Sequence, residues 1–588
     1  MIALATGNFA APSANGLFRR FAAGPVAALW LTAANVFMAA SPAAAQSPPH
    51  LTILQPGGMP GLPVLAAISQ ATNDVTLTWA GPAGYYQVFQ KTNLTDPKWL
   101  AVGKATNFLG TATIPLRAGR GFFRVSGPSP HYAGDQVCSA CHADVYGTVI
   151  QTAHVQAFAD LQQIHQDKNP SCLPCHTVGA NLPTGFASAE KTPTLEGVQC
   201  ENCHGPAANH AANPGDPTVV PRVEVASTLC GGCHNLKSVP AQYAYLHSPD
   251  YEDWTTSAHN AVLPELQSDF ISSNGPSLYI PTCGSCHSGT VREALLENDP
   301  LPAGQDAGAV GIGCAVCHDP HQVNVYTNLL NGVVVNPLTG VTITNSDLGA
   351  VYTNQLRNPL ASLQDYHATG TFAAGYNPDI NVCAQCHNDR GASTNSTSFP
   401  PHHSPQYNML LGDFSPDTGV ETNQPATHAF LEKQCVSCHM QTSPAGGAQP
   451  ASSGHAFVVN SYGACVKCHS NPSGLVVFTT FVISNRVQEV KGLLNQWASS
   501  TNAPPGLRAY GPLAWEYSTP GDLSSGGPGP NSVEQALIPA GIKQARFNLY
   551  LVYYDGSFGV HNGPYAVQLL DAAQDAVESE LFPEPAMP

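Results

Sequence analysis

Cys138-Ser139-Ala140-Cys141-His142 is a Cys-x-x-Cys-His unit, and eight more follow it along the chain. The second to fifth units are Cys172, Cys175 and His176; Cys200, Cys203 and His204; Cys230, Cys233 and His234; and Cys283, Cys286 and His287. The last four are Cys314, Cys317 and His318; Cys383, Cys386 and His387; Cys435, Cys438 and His439; and Cys465, Cys468 and His469. Together they consume all 18 cysteines. This spacing is the attachment signature of haem c: two thiols bond to one porphyrin, and the adjacent histidine is its proximal iron ligand. A tetrahedral zinc site normally needs two Cys-x-x-Cys pairs, and nine is odd. Disulfide frameworks belong to short secreted chains, and a thioredoxin-like motif does not recur nine times. The expectation is nine covalently bound haems.

Working outward, the nine units span residues 138 to 469, about one per 37 residues, a density that implies close haem packing. Their spacing varies, so this is not an exact repeat. The widest gap holds residues 323–353, read as an inserted hairpin or surface loop. Of 588 residues only 10% are charged, against a usual ~25%. The chain has 53 glycines and 51 prolines, above the average of ~12% for the two together. With 43% hydrophobic residues this reads as ordered but irregular, because haems can supply the core. The expected fold is a mainly irregular and α-helical multihaem cytochrome with a haem-built core, and a small all-β sandwich at the N-terminus.

The net charge of -17 argues against nucleic acid and against electrostatic binding to anionic membranes. Residues 1–45 read as an export signal, with Arg19 and Arg20 before a mostly apolar run and Ala43-Ala44-Ala45 as the cleavage site. Export places the chain in the periplasm or outside the cell, where haem c is attached. In residues 46–128, Val75, Leu77 and Trp79 alternate with polar residues, as do Tyr86 and Val88, Ile114 and Leu116, and Phe123 and Val125. That pattern resembles a fibronectin III or immunoglobulin-like module. Residues 131–475 are the nine-haem domain. The tail, 476–588, is expected to be helical and to pack on it. Val487, Val490, Leu494 and Trp497 share one helical face, and Ala566, Leu569, Leu570, Ala573 and Val577 share another after Pro564. Tyr550, Tyr553 and Tyr554 read as an aromatic core strand.

Each iron has a second axial position, usually filled by methionine or histidine. Only Met409 and Met440 lie near haem units, so mostly bis-histidine ligation is expected, with low potentials. Twelve further histidines lie in the haem region: His131, His154, His165, His210, His247, His259, His321, His367, His402, His403, His428 and His455.

Cys138 to His142, followed by Thr152-Ala153-His154 and Phe158, resembles the multihaem cytochrome superfamily of hydroxylamine oxidoreductase and the tetrahaem cytochrome of ammonia oxidisers. Gly197-Val198-Gln199-Cys200 through Pro206, Gly313 through His321, and Cys435 through Met440 are similar to the same superfamily. The resemblance implies His154, His210, His259, His321, His428 and His455 as distal ligands. Asp555 to Asn562 is similar to the C-terminal element of these cytochromes and adds His561. It implies electron transfer between a donor and an acceptor protein. Two alternatives stand beside it. One is an oxidoreductase acting on a small nitrogen or sulfur compound at one open haem. Its lysine-bearing Cys-x-x-Cys-Lys version has no counterpart here, and no single tyrosine among 20 stands out as a cross-linked catalytic one. The other is a subunit of a homo-oligomeric extracellular filament.

Overall fold

The computed structural model describes residues 131–583 apart from 183, 216–219, 222, 224–225, 272–278, 298, 303, 323, 326–333, 336–341, 344–350, 353–354, 358–380, 432–433 and 445–450. N-terminal to these it describes the backbone of eight strands. Residues 5–50, which hold most of the expected signal 1–45, and His367 lie outside the described residues. The chain divides into two compact units. One comprises Met1–Val137, Val178–Leu195 and Cys200–Val223; the other comprises Cys138–Thr177, Glu196–Gln199 and Glu224–Pro588.

The first unit holds two antiparallel sheets. In one, β4 (Asp74–Ala80) pairs with β3 (Val64–Ala71) and β7 (Gly110–Pro115). In the other, β5 (Tyr86–Lys91) lies between β6 (Leu100–Ala105) and β8 (Phe122–Ser126), with β1 (Ile2–Leu4) and β2 (Leu51–Thr52) beyond β8. The alternating stretches of the sequence fall on β4, β5, β7 and β8, except that Leu116 lies just past the end of β7. Leu77, one of the alternating residues on β4, is fully buried. Also in this unit, the buried carboxylate of Glu201, inside the third Cys-x-x-Cys-His, accepts the backbone N–H groups of Ala133, Gly134 and Ala207 at 3.0, 2.8 and 2.7 Å. A buried carboxylate is tolerable only when so satisfied.

The second unit is built of short helices, among them α1 (Ala153–Gln163) and α2 (Asp250–Thr255), and irregular segments, with one large protein core in the tail. That core packs three helices: α3 (Pro472–Ser499), α4 (Ala540–Asp555) and α5 (Gly563–Leu581). Pro472 and Pro564 sit in first turns, where a missing N–H costs nothing. Asn471 and Asn562 cap the starts of α3 and α5 by accepting from Gly474 and Tyr565. Val487, Val490, Leu494 and Trp497 are buried on α3, and Ala566, Leu569, Leu570, Ala573 and Val577 are buried on α5. Each large aliphatic or aromatic side chain so buried stabilises the tail by roughly 1.5–3 kcal/mol. The expected aromatic strand is corrected: Tyr550, Tyr553 and Tyr554 lie on α4, a helix buried almost all round, with Arg546 and Asn548 buried beside its apolar residues. Such a helix carries no clear periodic signal. Two short antiparallel pairs, Asn324–Val325 with Val351–Tyr352 and Val334–Val335 with Thr342–Ile343, lie in the 323–353 insertion. Among the described residues, no helix is long and apolar enough to cross a membrane.

Candidate haem-binding site

Each Cys-x-x-Cys-His unit closes on a helical turn. The histidine N–H donates to the carbonyl of the first cysteine at 2.9 Å in His142, His234, His318, His387 and His469. Residues four apart on such a turn share a face. The first cysteine and the histidine therefore project to the same side, where one macrocycle can meet both.

Seven of these histidines face another histidine ring. The pairs are His234 with His154 (centroids 6.0 Å apart), His176 with His247 (6.4 Å), His387 with His259 (6.2 Å) and His287 with His402 (5.8 Å). The remaining three are His318 with His455 (6.3 Å), His469 with His428 (6.2 Å) and His439 with His561 (6.2 Å). Every pair joins one histidine of a Cys-x-x-Cys-His unit to one histidine outside such a unit. Direct edge-to-face packing of aromatic rings also falls near this distance, but it gives no reason for that one-to-one matching. A metal–imidazole bond of about 2.0–2.1 Å on each side, plus the two rings, puts the centroids roughly 6 Å apart. The donor set therefore fits haem iron with two axial imidazoles.

In eight of these fourteen histidines the other ring nitrogen is engaged as a ligand histidine requires. Nδ1 donates to a backbone carbonyl in His176 (Ala157, 2.7 Å), His247 (Tyr243, 3.2 Å), His428 (Val560, 2.9 Å) and His439 (Phe457, 3.1 Å). In His387 it donates to Gln406 Oε1 at 3.2 Å. His402 and His455 place Nδ1 2.9 and 3.0 Å from the hydroxyls of Ser404 and Ser453. In His561 it donates to Asp555 Oδ1 at 2.6 Å. With the proton on Nδ1, the Nε2 lone pair is left for metal. Burial also favours neutral rings, the ligating form. It pulls His154 and His259 down to about 4, helped by His234 and His387 respectively, and His402 to about 3, helped by Arg390. His234 is held above its ordinary value by the Asp250 carboxylate beside it.

One loop serves three of these pairs. His455-Ala456-Phe457 supplies His455 to His318. It also supplies the Phe457 carbonyl to His439, and the Phe457 ring packs edge-on against His259 at 4.6 Å. Phe457 adopts φ 58°, a left-handed conformation costing a non-glycine residue roughly 1–2 kcal/mol. Gly454 enters the loop at φ 82°, and a Cβ there would lie 2.5 Å from the backbone of Met440.

Five of the seven distal histidines implied by resemblance stand in these pairs: His154, His259, His428, His455 and His561. His210 and His321 are not among these seven and remain proposed ligands. His210 lies on the short helix Ala208–Ala212. His321 is 43% exposed beside Asp319, whose Oδ1 is 3.7 Å from its Nδ1. The other two paired histidines are His247 and His402, which stand among the twelve candidates but which no motif distinguished. The serine two residues after His402, matching the serine two residues before His455, is the only local signal. His142 and His204 also stand outside the seven pairs. Met409 is buried in the tail core.

Cysteines of different units lie near one another. Cys175 of the second unit hydrogen-bonds to Cys233 of the fourth, and Cys230 of the fourth to Cys314 of the sixth. Cys286 of the fifth lies beside Cys386 of the seventh and 3.7 Å from the Gln385 carbonyl; Cys383 of the seventh lies beside Cys435 of the eighth. Cys317 of the sixth interacts with Cys383, and Cys438 of the eighth with Cys465 of the ninth.

Residues 137–205 match the family model of cytochrome c554 and c-prime. Cytochrome c-554 of Nitrosomonas europaea is 30% identical over 95 residues, which is 13% of this chain and 40% of that protein. The match thus spans well under half of that relative. The fold is similar to outer cell wall cytochrome OcwA, with TM-score 0.44 and 18% identity over 76% of this chain and 99% of that one. It is also similar to an undecahaem cytochrome from the S-layer of Carboxydothermus ferrireducens, with TM-score 0.43 and 19% identity over 78% of this chain and 70% of that one. The Cys-x-x-Cys-His units, their helical turns and the c554 segment over the first three of them lead to one class: the chain is a multihaem cytochrome c that binds haem covalently.

Proposed function

We propose that the chain is an extracytoplasmic nonahaem cytochrome that relays electrons between a donor and an acceptor protein through mostly bis-histidine haems. The observation carrying this reading is the set of seven histidine pairs, each matching a Cys-x-x-Cys-His histidine with one outside. These imidazole pairs would hold a haem iron from both sides, and such an iron would pass electrons without binding substrate. The protein's own residues fix the tautomer, exclude water from the buried rings and set the order of the haems.

That order differs from the order in sequence. The cysteine contacts support a path through units two, four, six, seven, eight and nine, with unit five joined at unit seven. Export through residues 1–45 accounts for haem attachment outside the cytoplasm.

Haem stoichiometry and redox activity test the reading. Intact-mass and pyridine haemochrome measurements on the secreted protein are expected to give nine haems per chain. Reduction is expected to be reversible, with no turnover of nitrite, hydroxylamine or tetrathionate. Turnover of one of these would make the protein an oxidoreductase, and filaments in negative stain would make it a structural subunit.

A further inference from the structure

We propose that Asp555 is a positioning and charge-tuning residue that holds the potential of the eighth haem below the value its histidine pair would otherwise give. The inference rests on the reading above, in which His439 and His561 are the axial pair of that haem. Asp555 Oδ1 accepts the Nδ1 proton of His561 at 2.6 Å, and its side chain is only 2% exposed. Its other oxygen takes the Ser557 hydroxyl and backbone N–H.

Among the described Nδ1 hydrogen bonds of the seven pairs, this is the one made to a carboxylate. The others go to carbonyls, an amide or hydroxyls, all neutral. Asp250 also approaches two of the histidines, but at 3.7 Å from His234 and 3.5 Å from His455, outside the range of a well-formed bond. A charged acceptor makes a shorter and roughly twice stronger hydrogen bond. It gives His561 more basic, partly imidazolate character, which is the outer-shell lever on a metal centre. Burial matters as much as distance, since the low dielectric leaves the negative charge unscreened. The oxidised centre carries one more positive charge than the reduced one, so Asp555 stabilises the oxidised form. Reduction there takes up one electron and no proton, because the Nδ1 proton stays between His561 and Asp555.

The test is spectroelectrochemical titration of full-length, haem-loaded protein, comparing wild type with Asp555→Asn and Asp555→Glu. In D555N one haem's share of the absorbance change is expected to move positive by at least tenfold in its equilibrium constant, about 59 mV for one electron. D555E, which keeps the charge, is expected to move it less. Superimposable titrations with the low-spin spectrum intact overturn the proposal. A new high-spin signal in D555N also overturns it, because Asp555 would then serve only to hold His561 in place. If D555N does not fold, Ser557→Ala decides. Removing the competing hydroxyl leaves more negative charge facing His561, so the same step is expected to move negative, and an unchanged step overturns the proposal. Fewer than nine haems, or a high-spin component, in the wild type would instead count against the underlying reading.

Discussion

Asp253 Oδ2 accepts the backbone N–H of Ser453 at 2.7 Å and its hydroxyl at 3.1 Å. The same oxygen takes the Ser452 hydroxyl at 3.0 Å and the Gly454 N–H at 3.2 Å. One carboxylate on α2 (Asp250–Thr255) thus anchors the loop that delivers His455 to His318 and the Phe457 carbonyl to His439. Hydrogen bonds to a charged group are worth about 1.5–3 kcal/mol each. Asp253→Ala is therefore expected to free the loop and detach His455. One haem, the sixth, would turn high-spin in the optical and electron paramagnetic resonance spectra, while the remaining pairs stay low-spin.

His402 and His403 are adjacent in sequence and opposite in role. His402 faces His287, whereas His403 is 59% exposed and stacks on Tyr554 at 3.9 Å. His402→Ala is expected to open the axial position of the fifth haem, giving a high-spin signal and carbon monoxide binding by one haem per chain. His403→Ala is expected to leave spin state unchanged. Equal effects of the two would remove the basis for choosing between them.

This pair also marks where the sequence stopped being legible. The cysteine units could be read completely, because covalent attachment demands a contiguous motif. Proximal histidines come with the motif. Distal histidines arrive from elsewhere in the chain, selected by three-dimensional packing alone. His154, His428 and His455 sit in short Thr-Ala-His, His-Ala-Phe contexts that local structure repeats. His247 follows a 3-10 turn, Ala241–Leu246, and His402 lies in a Pro-Pro-His-His stretch, neither of which carries a periodic signal. The helical faces of α3 and α5 were legible for the opposite reason, since each buries one stripe. Helix α4, buried on nearly every side, hid its period.

The tail core should respond as an ordinary protein core. Leu494 is fully buried on α3 among Val490, Trp497 and the residues of α4 and α5. Leu494→Ala is expected to cost about 2–5 kcal/mol, lost transfer energy plus a cavity. Thermal or denaturant unfolding of the haem-loaded protein, followed by tryptophan fluorescence, would measure it. A loss below ~1 kcal/mol would mean the haems rather than this core govern tail stability.

Glu516 gives the tail a pH dependence. It is fully buried, and burial pushes its carboxyl above the ordinary value, against the opposing hydrogen bonds that include Tyr550 at 2.6 Å. A raised carboxyl favours the protonated form in the folded state. Its stabilising contribution is therefore complete below the unfolded-state value and is lost as pH rises through the folded-state value. Stability of the tail is expected to fall over that interval. Glu516→Gln, which stays neutral, is expected to flatten the slope in melting temperature against pH. An identical slope in the variant would place the dependence elsewhere.

On the proposed reading this chain passes electrons through irons closed on both faces by histidine. Electron paramagnetic resonance of the oxidised, nine-haem protein tests it most directly, with spin quantitation. The seven histidine pairs predict that at least seven haems per chain are low-spin with bis-imidazole g-values. Three or more high-spin haems per chain would contradict it.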